Sequence, residues 1–230
     1  MLRAPSLALV LLLLAPLLQG CIGDEPTIAL LVADGSDRST RVVDVEQFTE
    51  RVEATCDECR VTVLDAEGDE RVQNSQVRQA EAEAADVLVV QPVDPGALTS
   101  LSGRDLPLVS LGALLPGSDR YVGLEGEEVS GQEGSDLQAA RNLVLGDEKS
   151  MVFVPVQAMS DQAADVAVAL LAGNPLPGGQ DVDGVQSWLF RDQEVTLDNL
   201  TSVLVAQDVV QLDDLCDGST AKRCEKLGLR

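Results

Sequence analysis

Five cysteines, at positions 21, 56, 59, 216 and 224, are the residues of this chain best placed to do chemistry. Cys56-Asp57-Glu58-Cys59 has the Cys-x-x-Cys spacing that serves a redox couple, half of a metal site or a short bridge. A redox pair belongs at the start of a helix that follows a strand, where the helix end lowers the thiol pKa. Here the pair closes a helical segment and precedes a strand, so the reading is a structural bridge, with the redox motif as the alternative. A four-cysteine metal site is the weaker alternative, because seven residues separate Cys216 from Cys224. Histidine is absent, which removes the commonest general base, the Ser-His-Asp triad and most zinc sites. Among 39 acidic residues no carboxylate pair is set apart by a partner or an apolar setting. The chemistry left is binding, and no enzyme activity, metal or cofactor is expected.

Cys21 stands apart from the other four. Arg3 supplies a positive n-region, and residues 6–18 are almost wholly apolar and rich in leucine. That run matches a secretory h-region and falls short of the roughly 20 residues needed to span a bilayer. Gly20 is the small residue expected before a cleavage point. Leu18-Gln19-Gly20-Cys21 resembles the lipobox of bacterial lipoproteins, in which the cysteine is lipidated and becomes the first mature residue. The alternative is an ordinary signal peptide with an incidental cysteine. The lipobox reading makes residues 1–20 a signal peptide and 21–26 a lipidated tether, and it places the rest of the chain, anchored to the cell membrane, on the extracytoplasmic face. In that disulfide-permissive space the remaining even count suggests two local bridges, Cys56–Cys59 and Cys216–Cys224.

Composition narrows the partners. Removing 20 residues from 230 leaves 210, enough for one large domain or two small ones. Hydrophobic residues at 45% support a packed core. The net charge of −23 with no basic stripe excludes nucleic acid as a partner and makes anionic headgroups unattractive, so the lipid must do the anchoring. Aromatics are 2% of the chain: one Trp, one Tyr and three Phe.

The elements that must position these residues alternate. Residues 27–33, TIALLVA, form a continuous apolar run, read as a strand buried on both faces. Val42, Val45, Phe48 and Val52 recur at helical spacing over 40–55. Strands follow at 60–64, 86–90 and 106–111, with a fifth candidate at 121–124, and a second helix spans 70–85. This β-α-β-α-β order predicts a parallel sheet with helices on both faces. Further on, 126–144 reads as helix, 151–156 as strand, 161–171 as a strongly periodic helix and 185–190 as strand. In such sheets ligands bind at the carboxyl ends of the strands, which singles out the loops at 34–41, 91–96 and 112–118.

The stretches IALLVADGSDRSTRVVDVEQF and CDECRVTVLDAEGDERVQNSQVRQAEAEAADVLVVQPVDPGAL resemble the N-terminal domain of periplasmic sugar-binding proteins of the ribose/xylose type, the solute-binding lipoproteins of ABC transporters. SMVFVPVQAMSDQAADVAVALLAGNPLP resembles that family's late strand and helix, VTLDNL its segment near the last hinge crossing, and the Cys216–Cys224 tail its C-terminal bridge. The resemblance implies an α/β, periplasmic-binding-protein-like fold. One Rossmann-like lobe is complete over 27–125, and the C-terminal lobe and tail, 126–230, are reduced, because the stretch that should build the second lobe's core is missing after Leu145.

It also implies a function: binding a small polar solute, a sugar, between lobes, and handing it to an ABC permease or another membrane protein. Sugar sites answer hydroxyls with Asp, Asn, Arg and Gln, and apolar sugar faces with aromatic rings. The loop after the first strand offers Asp34, Asp37, Arg38 and Arg41. Arg41, after Ser39-Thr40, matches a family arginine, and Val42 stands where an aromatic tends to follow. Asp94 matches the aspartate of the family's PVD strand end, a residue equally suited to capping a helix. Trp188, read as part of a second-lobe strand, is a candidate stacking platform, although a lone Trp is more often core. Where the family clamps hydroxyls with an Asp-Arg pair after strand four, this chain has Ser110-Leu111-Gly112-Ala113, which cannot make that bidentate contact. The alternative reading is therefore a degenerate relative that works as a protein-interaction or regulatory lipoprotein without sugar binding.

Overall fold

The computed structural model describes residues 25–33, 42–98, 101, 105–126 and 136–229. The expected signal peptide, the expected lipidation site Cys21, and Asp34, Asp37, Arg38 and Arg41 lie outside the described residues.

The first half folds as its apolar runs dictate. Strands β1 (Thr27–Val32), β2 (Arg60–Asp65), β3 (Val87–Val90), β4 (Leu108–Gly112) and β5 (Arg120–Leu124) alternate with helices α1 (Val45–Thr55) and α2 (Glu70–Ala82). Each helix starts on an aspartate: Asp44 accepts from Glu46 N and Gln47 N, and Asp69 from Arg71 N and Val72 N. These caps satisfy amides that no helical carbonyl can reach. β1 beyond Thr27 and all of β3 are apolar because both their faces are covered. Ile28, Leu30, Val87 and Val89 point into one core, and Ala29, Leu31, Leu88 and Val90 into the other.

The chain then leaves this sheet and returns. Helix α3 (Asp136–Leu145) and strand β6 (Ser150–Phe153) precede α4 (Val156–Leu171), the hairpin β7 (Gln180–Val182) and β8 (Val185–Phe190), and β9 (Gln193–Thr196). One sheet has seven strands in the order β2-β1-β3-β4-β5-β8-β7, and a second pairs only β6 with β9. The large sheet is parallel from β2 to β8, with β7 antiparallel at its edge.

This placement corrects the division at residue 125. Strand 185–190, expected in the second lobe, pairs with β5 from Arg120↔Gln186 to Leu124↔Phe190. Helix α4 lies on α1. Ser160 Oγ accepts from Asp44 N at 2.8 Å, Gln47 donates to Asp161 at 2.7 Å, and Arg51 binds Asp165 through two 2.8 Å contacts. The physical reason is burial: Met159, Ala163, Ala164, Val166 and Ala167 share one core with Phe48 and Val52 of α1 and Trp188 of β8. The helix also begins earlier than its apolar periodicity suggests. Pro155 precedes its first residue, and Met159 N donates to Pro155 O, so the preceding strand ends at Phe153. The short strands β7 and β9 carry too few apolar residues to be read from pattern.

What remains of the second lobe is β6, β9, α3, the π-turn Thr201–Val205, and the short helices α5 (Leu212–Leu215) and α6 (Ala221–Leu227). They enclose a separate core that includes Leu143, Met151, Phe153, Val195, Leu204 and Leu215. The cysteines pair as Cys56–Cys59 and Cys216–Cys224. The second bridge lies inside this small core, with both residues fully buried. No helix among the described residues is long and apolar enough to cross a membrane.

Candidate functional site at the strand ends and crossings

Three connections join the lobes: one leaves β5 at Glu125, one runs through Val154 and Pro155, and one is Arg191-Asp192. β5 and β8 are parallel to β1, so the first and third connections leave the large sheet at its carboxyl edge and the small lobe stands over that edge. Two of the crossings are tied together. Glu125 N donates to Phe190 O at 2.7 Å, and the Arg191 guanidinium binds both Glu125 carboxylate oxygens. Its hydrogen bond to Glu125, and then the carboxylate's charge, hold Arg191 above its ordinary pKa.

The loop after β3 is built from below. Gln73 is fully buried in α2; its Nε2 donates to Gln91 O at 2.8 Å and its Oε1 accepts from Val93 N at 2.9 Å. One side chain thus pins Gln91-Pro92-Val93 and sets the position of Asp94. Asp94 is exposed, and its Oδ1 accepts from Gly96 N at 2.8 Å while its carbonyl accepts from Ala97 N. That is an Asx turn closing the loop. Gln73 was invisible to sequence reasoning because it sits in a helix rich in polar residues, most of which are exposed.

The end of β4 is apolar. Gly112 has φ +81°, and a Cβ built on it would stand 2.7 Å from Val42 Cγ2. Val42 is 3% exposed and belongs to the main core. The residue after Arg41 therefore fills the space in front of strand four. Beside it the Tyr121 hydroxyl donates to Gly112 O at 3.0 Å. Burial pushes the Tyr121 pKa up.

Trp188 belongs to β8 of the large sheet, not to a second-lobe strand, and is 8% exposed. Its ring packs in the core shared with α4 and also lines a pocket of about 230 Å³ with Glu125, Gly179, Gln180 and Phe190. Asp94 and Trp188 are not brought together, since β4 and β5 lie between their strands. No group of acidic or cysteine side chains among the described residues has the arrangement of a metal site.

No protein-family model matches the chain, and no curated protein sequence matches it. Solved structures do share its fold. A solute-binding protein of an ABC transporter from Bacillus halodurans, with bound myo-inositol, aligns with a TM-score of 0.59 and 13% identity over 77% of this chain and 96% of that one. A carbohydrate transporter solute-binding protein from Chloroflexus aurantiacus, in complex with D-glucose, gives 0.60 and 13% over 82% and 97%. The complex of the TorS sensor domain with TorT, without ligand, gives 0.55 and 10% over 74% and 92%. The fold of this chain is that of periplasmic binding proteins, with the second lobe reduced.

Proposed function

We propose that this protein is a lipid-anchored, extracytoplasmic solute-binding protein that takes up a small polar solute, a sugar, between its lobes and presents it to an ABC permease. The observation that carries the reading is the crossing geometry. Two lobes are joined by three connections at the carboxyl edge of a parallel sheet, the arrangement that hinge closure around a ligand requires, and neighbours of the same fold hold myo-inositol and D-glucose. With the end of β4 occupied by Val42, the groups that meet the sugar's hydroxyls must come from elsewhere on the large lobe; the candidates read from the sequence, Asp34, Asp37, Arg38 and Arg41, lie outside the described residues.

Thermal denaturation of the mature chain with ribose, xylose, arabinose, galactose, glucose and myo-inositol tests this. A ligand at 100 times its Kd stabilises by about 2.7 kcal/mol, which for a chain of this size raises Tm by roughly 5–10 °C. A panel without any shift refutes sugar binding. The anchor is tested separately: Cys21→Ala should release the protein from the membrane fraction or leave its precursor unprocessed, and unchanged retention and processing refute lipidation.

The Val42–Gly112 contact and the two-stranded second sheet favour a second reading, a regulatory or protein-interaction lipoprotein that has kept the scaffold without the sugar. A TorS–TorT complex among the structural neighbours is in keeping with it. A flat sugar panel is the outcome this reading expects.

A further inference from the structure

Resting on the solute-binding reading, we infer that the sugar or polyol is held beside the hinge, in the pocket between the free edge of β8, the Gly179–Gln180 turn and Glu125, rather than in front of strand four. The front of strand four is closed by Val42, so a ligand needs another wall.

The pocket is made by a strand that stops early. β7 pairs with β8 only from Val182↔Val185 to Gln180↔Ser187. Gly179 then turns away at φ +77°, with its Cα so close to Ser187 O that a Cβ would meet it at 2.9 Å. Gln186 Nε2 holds the turn by donating to Leu176 O and Gly178 O. Beyond this point β8 has no strand partner on its outer side among the described residues. The Phe190 carbonyl accepts from Glu125 N across the β5 side, so alternation aims the peptide N–H and C=O of Leu189 the other way, into the pocket.

The lining has the chemistry of a polyol site. Trp188 and Phe190, two of the five aromatic residues in the chain, lie two residues apart and so share one face of the strand, which suits an apolar C–H surface. The Trp188 indole N–H and the Gln180 side-chain amide have no hydrogen-bond partner among the described residues. Each Glu125 carboxylate oxygen accepts one bond from Arg191, which leaves each with acceptor capacity for a hydroxyl. A volume of about 230 Å³ is below the ~300 Å³ at which drug-sized sites begin, so the occupant is a single ring. A ligand touching Glu125 would also engage the carboxylate that ties the first crossing to Arg191 of the third, which couples its binding to the hinge.

The chain has one tryptophan, so its emission reports on this pocket alone. Titrating the mature protein with myo-inositol, D-glucose, D-xylose and D-ribose should give, for one of them, a saturable change in emission that tracks calorimetric binding. Glu125→Gln and Gln180→Ala should each weaken that binding about 10-fold or more, the effect of losing a hydrogen bond to a buried polar partner, with circular dichroism unchanged. Gln180 is exposed, so its variant keeps the test valid even if the Glu125 variant does not fold. Calorimetric binding that neither variant weakens overturns the pocket assignment and leaves the solute-binding reading standing. No calorimetric binding of any probe overturns both.

Discussion

Gly112→Ala tests whether strand four's end is sealed. The φ of +81° costs a non-glycine residue about 1–3 kcal/mol. The new Cβ would stand 2.7 Å from Val42 Cγ2, and displacing a side chain that is 3% exposed adds about 1–3 kcal/mol of overpacking. The variant should therefore lose about 2–6 kcal/mol in urea unfolding, with Tm lower by roughly 4–24 °C. Val42→Ala removes the obstructing methyl groups and by itself costs about 2 kcal/mol in lost packing. In the double variant the collision is gone while the backbone strain and the Val42 loss remain. It should be more stable than the two single effects added together, by the 1–3 kcal/mol of overpacking. Single effects that add to within about 0.5 kcal/mol, the behaviour of independent sites, would refute the seating of Val42 against Gly112 and reopen the space in front of β4.

Other consequences follow from the same contacts. Burial raises the Tyr121 pKa above its ordinary 10.0, so its share of stability is whole below pH 10, falls as pH rises through the folded value and is flat above it. Tyr121→Phe should cost about 1 kcal/mol at pH 7 for the bond to Gly112 O and lose less stability than the native chain across that alkaline window. Parallel curves for the two proteins would contradict the assignment, and phenolate absorbance of the single tyrosine gives the folded pKa directly. Gln73→Ala removes the bonds to Gln91 O and Val93 N, a loss of about 2–4 kcal/mol, and should accelerate hydrogen exchange at Val93; unchanged exchange there would show that the loop is held by something else. Opening the Cys216–Cys224 loop, eight residues in separation, should cost about 2.5 kcal/mol, against about 1.6 for the three-residue Cys56–Cys59 loop. Serine pairs at each site, compared by denaturant midpoint, test that order.

The legible parts of this fold are the ones whose signal is local. β1 and β3 declared themselves because burial on two faces leaves no room for polar residues, and α1 and α2 because their periodicity follows an aspartate cap. The return of α4 and β8 to the first sheet had no such signal. Ser160, Asp161 and Asp165 look like a solvent face, and only the partners Asp44, Gln47 and Arg51, more than a hundred residues earlier, turn them into an interface. VQSWLF at 185–190 reads as a strand, yet nothing in it names β5 as its neighbour. The site divides in the same way. The loss of the clamp after strand four was readable from residue types. That Val42 packs against Gly112 is a contact between residues seventy positions apart, and the free edge of β8 depends on where β7 stops.

The order of the chain in the large sheet sets a problem for folding during synthesis. β5 remains an unpaired, apolar edge until β8 arrives, after the whole small lobe has been made, and α1 lacks its cover until α4 follows. A chain delivered from its N-terminus must therefore carry Val122 and Leu124 uncovered for about sixty residues of elongation. Nucleation from local contacts cannot close this lobe, because its last strand must find its place by a long-range search. Folding of the large lobe should thus wait for release of the tail, and truncations after residue 155 should aggregate rather than yield a smaller stable domain.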